Sequence, residues 1–535
     1  AALLGWIWHA DSGTAWLLRQ LPMLTLQAPQ GALGSGQFRT ERLQLDLAAG
    51  QLVIEQAEIK GLDWTLRPHG GAWLGLSMQS LTGQTLRWQS HPSTTPSTPL
   101  ESLELPVQVQ IEAVQIASLT VDELPPLEGL DASLSLGNPA GSPHRIQLRA
   151  LRSDRLAATG QLQLGAAAPM PVQAEFKLDS LNTEPAWNAK LRLDGPLARM
   201  AAVATLRGAA LPGQAAPQAD LDTVLQPFAP WPLGDLRLSA EALNLASLNS
   251  DWPETRLQIK AQLKSAGLDQ PAQAELSLGN ALAGRWDQQR LPIRSLSAQI
   301  GGTPEPLTEL TLKQLAIDWG SAQATAGQWR GQGRYLFGPA QGSAELALTL
   351  SQWQPAALDT RMPGLLMSGP VKLSATALPA PGAATAGLPE LSVAAKLTGR
   401  LLSQQGPQGS MTLNLDGQGT ARKITLREAD LRAEGSRLQA TGTAEHQADG
   451  RWHWKAQGQV AELDLRSWWP GPADSEWQRQ SQRLNASFSS QASVPASALQ
   501  NPAKVLAQLR GELALQISQS AWAGVPLEGS ARWSA

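Results

Sequence analysis

The chain has 535 residues, 42 Lys and Arg against 45 Asp and Glu, a net charge of −3 and no cysteine. That balance supplies no basic stripe for neutralising phosphates, so nucleic acid is excluded as an expected partner. The missing thiols exclude disulfides, thiolate catalysis and cysteine-ligated metals together.

The chain opens AALLGWIWHADSG, with Leu3, Leu4, Trp6, Ile7 and Trp8 ahead of polar His9, Asp11 and Ser12. This run is too short to span a bilayer, which takes about 20 apolar residues. Its two Trp before the first polar residues are how a transmembrane helix leaves the membrane. Residues 1–12 are therefore read as the tail of a truncated signal-anchor helix; the alternative is a buried first strand.

From 13 to 90 the pattern is that of β-strands. LQLDLAAGQLVI (43–54) reads as strand, tight turn and strand, with Leu43 and Leu45 on one face. HPSTTPSTP (91–99) lacks periodicity, and 91–100 is expected to be a Pro/Ser/Thr-rich loop. From 101 to 535 the alternation continues without a change of texture, which favours one repetitive architecture over several domains. Its apolar positions at every second residue include Leu134 and Leu136, Leu162 and Leu164, Leu191 and Leu193, Leu276 and Leu278, Leu346 and Leu348, Leu413 and Leu415, and Leu513 and Leu515. Strands joined by short turns are expected to pair antiparallel, with one face greasy and one wet.

Helix candidates are few. Asn501 with Pro502 opens one, residues 219–228 are a weaker second, and 196–207 is ambiguous between helix and strand. LPAPGAATAGLP (378–389) is expected to be a second exposed loop. RLAATGQL (155–162) recurs as RLQATGTA (437–444), with an echo in QATAGQW (323–329), which points to a repeated strand-turn-strand unit without a strict period.

Motifs for catalysis are missing: no GxSxG, HExxH, Walker or Rossmann signature occurs. Of six histidines only His446 and His453 are close, across HQADGRWH, and further metal ligands are not apparent. Asp46, Asp179, Asp194 and Asp416 sit where turns are expected to start. No cofactor or metal is expected, and an enzyme is not. The alternating Leu either fill a solid β-sandwich or line an open trough for acyl chains, and periodicity alone leaves both open.

GTAWLLRQLP (13–22), GALGSGQFRTERLQLDL (31–47) and LVIEQAEIKGLDWTLRP (52–68) resemble the N-terminal region of the TamB-like proteins of the AsmA-like superfamily, with Trp16, Leu17, Leu18, Pro22, Gly31 and Trp64 at matching positions. Segments 226–248, 284–302 and 509–533 are similar to later parts of the same proteins. The resemblance implies a long antiparallel β-groove or β-taco rod with few short helices, in the periplasm and anchored in the inner membrane. It implies carriage of phospholipid between the two membranes and support of outer-membrane protein assembly. The sixteen leucines above would be its lipid-groove residues, with phospholipid acyl chains as cargo. The family's C-terminal domain, which meets a TamA-like outer-membrane barrel, has no counterpart before Ala535, so the chain reads as an N-terminal and central fragment.

The physics makes such a groove useful: at about 0.8 kcal/mol per CH₂, two 16-carbon chains cost on the order of 25 kcal/mol to carry bare through water. Stacked strands of this chain would reach on the order of 200 Å. The alternative is a secreted or surface β-solenoid without lipid transport, which would show a stricter repeat. A glycan-processing enzyme would need a carboxylate pair on facing loops.

Overall fold

The computed structural model describes the chain except residues 1–5, 7–8, 19–22, 48, 70, 92–101, 123, 140, 211, 214, 230–231, 250, 266, 268, 340, 363, 380–388, 404–405, 434, 465–478, 481, 501–507 and 535. The described chain is nearly all β, with two α-helices, Asp11–Leu18 and Leu245–Leu248, and a few single-turn 3₁₀ segments. It divides into two compact units, one formed by residues 1–251 with 258–265 and the other by 252–257 with 266–535.

In the first unit, fourteen strands run from Leu24–Gln27 to Leu233–Leu243. Most pair with their sequence neighbours as an antiparallel meander, and the 43–54 hairpin forms as expected, with Leu43 opposite Ile54 and Leu45 opposite Leu52. One pairing departs from the antiparallel expectation. Strand Ala72–Ser90 lies parallel to Val107–Val121, with Leu81 beside Val114 and Leu86 beside Leu119. A parallel neighbour needs a crossover connection instead of a tight turn, and the Pro-rich segment 91–106 supplies it; residues 92–101, most of the expected loop, lie outside the described residues.

Two histidines fasten the far side of that crossover. The His144 ring takes the Gly137 N–H on Nδ1 (3.0 Å) and meets the Leu103 carbonyl through Nε2 (3.0 Å), and His69 Nε2 lies 2.8 Å from the Gly137 carbonyl. In these bonds Nδ1 of His144 accepts and its Nε2 donates.

The second unit carries fourteen strands from Ala272–Asn280 to Val525–Ser534, every adjacent pair antiparallel. Strand Leu257–Lys264 belongs to the first unit from Gln258 onward.

Other expectations need correction. Residues 219–228 are not helical: Gln218–Leu225 is a strand, because Leu221 pairs with Ala204 on one side and Leu238 on the other, and sheet neighbours outweigh a weak helical spacing. The ambiguous 196–207 resolves as a turn and the strand Met200–Gly208. The N-terminal helix runs to Leu18, into the segment expected to be β. Most of the 378–389 loop and the start of the helix at Asn501 lie outside the described residues.

Candidate functional site

Strand alternation places all sixteen expected leucines on one apolar face within their unit. In the second unit a single cross-strand row can be followed through fourteen strands: Leu276, Ala298, Leu315, Gly331, Leu348, Val371, Ala395, Leu415, Ala429, Ala440, Gly458, Phe488, Leu515 and Ala531. No polar side chain interrupts it. Leu346 and Leu513 belong to the next row on the same face, and Leu278 and Leu413 to the row on the other side.

One residue along each strand the chemistry inverts. Asn414, Asp430, Gln439, Gln459, Ser487, Gln516 and Ser530 form a row of the opposite face. A step of one residue turns the side chain to the other face, so the two rows describe one sheet with a greasy side and a wet side.

The first unit repeats the arrangement. Ile59, Leu81, Val114, Ala132, Leu148, Gly160, Phe176, Leu191, Ala204, Leu221 and Leu238 form one row. Beside it run Ile111, Leu134, Ile146, Leu162, Ala174, Leu193 and Ala202. Leu136 and Leu164 lie further along the same strands, opposite Val109 and Val172. Leu43 joins the same apolar cluster as Ile54, Val114 and Leu134.

Exposure along the long row is uneven, and this bears on the choice between trough and sandwich. Leu348 is 6% exposed at the centre, whereas Leu276 and Leu515 near the two ends are 36% and 38% exposed. Leu348, Leu350, Met367, Leu397, Leu401 and Met411 pack as one cluster. A sandwich would bury such a row uniformly against a second sheet; here it is covered at the middle and open toward the ends.

The glycines in these rows make room for large neighbours. A Cβ on Gly458 would collide with the Phe488 ring and the Gln439 carbonyl oxygen. Gly160, in the repeated Ala-Thr-Gly motif, stands in the same relation to Phe176. In the second copy of the motif Gly442 instead faces Ala456 and the Lys455 carbonyl, so the two copies share the close approach but not the ring.

The remaining expectations separate cleanly. His446 and His453 differ by an odd number along one hairpin and point to opposite faces: His446 meets the Trp452 ring at 5.5 Å, while His453 bonds Asp449 at 2.9 Å. They cannot share an ion. Asp416 sits inside a strand, not at its end, and pairs with Arg427 at 3.1 Å; Asp46 and Asp179 are each next to last in their strands, as expected, with Asp46 accepting from Gln44 and Gln51. Trp6 packs on Trp16 at 6.1 Å and donates to Ser12. Leu3, Leu4, Ile7 and Trp8 lie outside the described residues, and among the described residues no helix is long and apolar enough to cross a membrane.

Two features were not read from the sequence. Asp430, buried in the polar row, accepts from Arg437 (Nε 3.0 Å, Nη2 2.9 Å) and from Arg432 (Nη2 3.0 Å). Those bonds, the Arg437 pair foremost, hold its carboxyl well down, from 3.8 to about 2, against the opposing effect of burial. Only the Asp-Leu-Arg and Ser-Arg-Leu spelling around the turn hinted at it. The other is a concavity of about 920 Å³ over the last five strands, lined in the majority by polar residues such as Gln439, Gln457, Gln516 and Arg532. Ala440, Gly458, Phe488, Leu515 and Ala531 of the long row also border it.

No family model, curated protein or solved structure matches the chain.

Proposed function

We propose that this protein carries phospholipid along the apolar face of its sheets, as a periplasmic bridge anchored at the inner membrane that also supports outer-membrane protein assembly with a TamA-like barrel partner. The reading follows from the resemblance to TamB-like proteins. The observation that carries it is the fourteen-strand row from Leu276 to Ala531, apolar throughout and open at Leu276 and Leu515. Each methylene laid on such a face leaves water at a gain of about 0.8 kcal/mol. A continuous row keeps that gain nearly constant from strand to strand, so a chain can slide without crossing a wet step. No catalytic residue enters this function.

The test is site-specific photo-crosslinking in cells, followed by mass spectrometry of the captured lipid. Probes at Leu276, Leu415 and Leu515 are expected to capture phospholipid, and probes at Ser277, Asn414 and Gln516 are not. Equal capture at both parities, or none at either, would remove the reading.

A further inference from the structure

Trp319, Trp329 and Trp353 form a ladder at one end of three successive strands of the second unit, with ring centroids 4.9 Å and 5.5 Å apart. Trp329 and Trp353 pack on the apolar cluster built around Leu348 and Leu397. Gly327, opposite Trp319, gives the ladder its space: its φ is +111°, and a Cβ there would come 2.6 Å from the Trp353 Cα. This Gly and Trp329 are the Gly and Trp of the QATAGQW echo.

The indole Nε1 atoms of all three are covered from water and have no hydrogen-bond partner among the described residues. Elsewhere among the described residues other indoles find acceptors. Trp88 donates to Ser90, Trp187 to the Ser247 carbonyl and Trp454 to Ser490. Among the described residues, the covered indoles without a partner are these three, which pack in sequence on one another. A buried N–H without an acceptor is costly, and three in one place call for an acceptor from outside the chain. The tilted rings, 57° and 68° apart, offer an N–H at most a neighbouring ring face, a weaker partner.

We infer that the ladder of Trp319, Trp329 and Trp353 binds the ester carbonyls of a diacyl phospholipid whose chains lie on the adjoining apolar rows. The inference rests on the lipid reading above and adds where along the face a lipid is held and by which of its atoms. The donors are neutral, which suits carbonyl oxygens better than a phosphate anion, for which Arg is the matching donor. Their place at the strand ends, beside the buried Leu350 and Met367, is where the chains of a lipid would stop and its glycerol esters begin.

The experiment compares two probes with identical headgroups and chain lengths, a diacyl phosphatidylethanolamine and its dialkyl ether analogue, which lacks both carbonyls. The protein is expected to hold the ester lipid about fivefold more tightly for each carbonyl engaged. The triple variant Trp319→Phe, Trp329→Phe, Trp353→Phe keeps a smaller aromatic ring at each position and removes the N–H groups. It should bind the ether lipid as before and lose the ester preference. Equal binding of both lipids by the unaltered protein, or a preference that survives in the triple variant, overturns the inference while leaving the carrier reading intact. Binding of neither lipid overturns both. An independent readout needs no variant: the three indole N–H proton resonances should move downfield with the ester lipid alone, and equal movement with both lipids counts against the site.

Discussion

Arginine placed along the long apolar row measures how open the face is, position by position. Leu348, 6% exposed, loses the full burial of a leucine, about 1.5–3 kcal/mol. Its guanidinium would then sit among Leu350, Ala395 and Leu397 with no counter-ion, which adds several kcal/mol more. The total for Leu348→Arg is on the order of 5 kcal/mol. Leu515 is 38% exposed, so Leu515→Arg gives up a smaller transfer gain, and the long side chain can reach water with its head. Its cost is about 1–2 kcal/mol. Leu276→Arg, in the same row at 36% exposure, should behave like Leu515→Arg, and Ser277→Arg on the wet face should change stability by less than about 0.5 kcal/mol. The assay is urea unfolding followed by far-ultraviolet circular dichroism, with the photo-crosslinking yield at Leu415 measured on each folded variant. Leu515→Arg should stay folded and lose lipid capture. If Leu515→Arg unfolds the protein as readily as Leu348→Arg, the row is covered throughout, and the open-trough argument falls.

Gly458→Ala should destabilise by about 1–3 kcal/mol because the new methyl meets the Phe488 ring and the neighbouring strand's backbone, whereas Gly529→Ala, which meets nothing within 4 Å, should stabilise by roughly 0.5 kcal/mol; equal melting shifts for the two would refute the packing argument. Asp430 has a folded-state pKa depressed from 3.8 to about 2, so its ion pairs contribute fully above the unfolded value and are lost as pH falls through the folded one. Acid titration of stability should show a loss across that window that is missing in Asp430→Asn, and identical profiles would show the pairs to be inert.

Much of this architecture is legible in the sequence for a physical reason. A side chain on a strand has two choices of face, so Leu-x-Leu at 276–278 or 413–415 fixes the parity of the whole strand, and the structure joins those strands in a register that keeps like with like. The parallel pairing of Ala72–Ser90 with Val107–Val121 was not legible, because alternation is the same whichever way a neighbour runs; only the 91–106 connection, too long for a hairpin, bore on it. Residues 219–228 misled because Leu221 and Leu225 also fit a helical spacing, and only the partners Ala204 and Leu238 decide between the two.

The Trp ladder escaped for a different reason, and it shows how a sheet keeps one face apolar when its sequence breaks step. Leu350 and Trp353 are three residues apart, so strict alternation sends them to opposite faces. Between them Gln352 adopts a left-handed backbone, φ +51°, and the pairing shifts by one residue, from Leu350 with Gly369 to Trp353 with Met367. Such a bulge takes up one residue and re-phases the strand. Gln519, between Ile517 and Ser520, and Glu462, between Val460 and Leu463, do the same near the ends of two later strands. A non-glycine residue at positive φ costs about 1 kcal/mol or more, and at Gln352 that cost is set against bringing a large ring onto the buried cluster. In the sequence the bulge reads only as an error in the repeat. The greasy face is therefore wider than alternation predicts, and it gains its largest side chains and its unmatched indole donors at a break in the pattern that identified it.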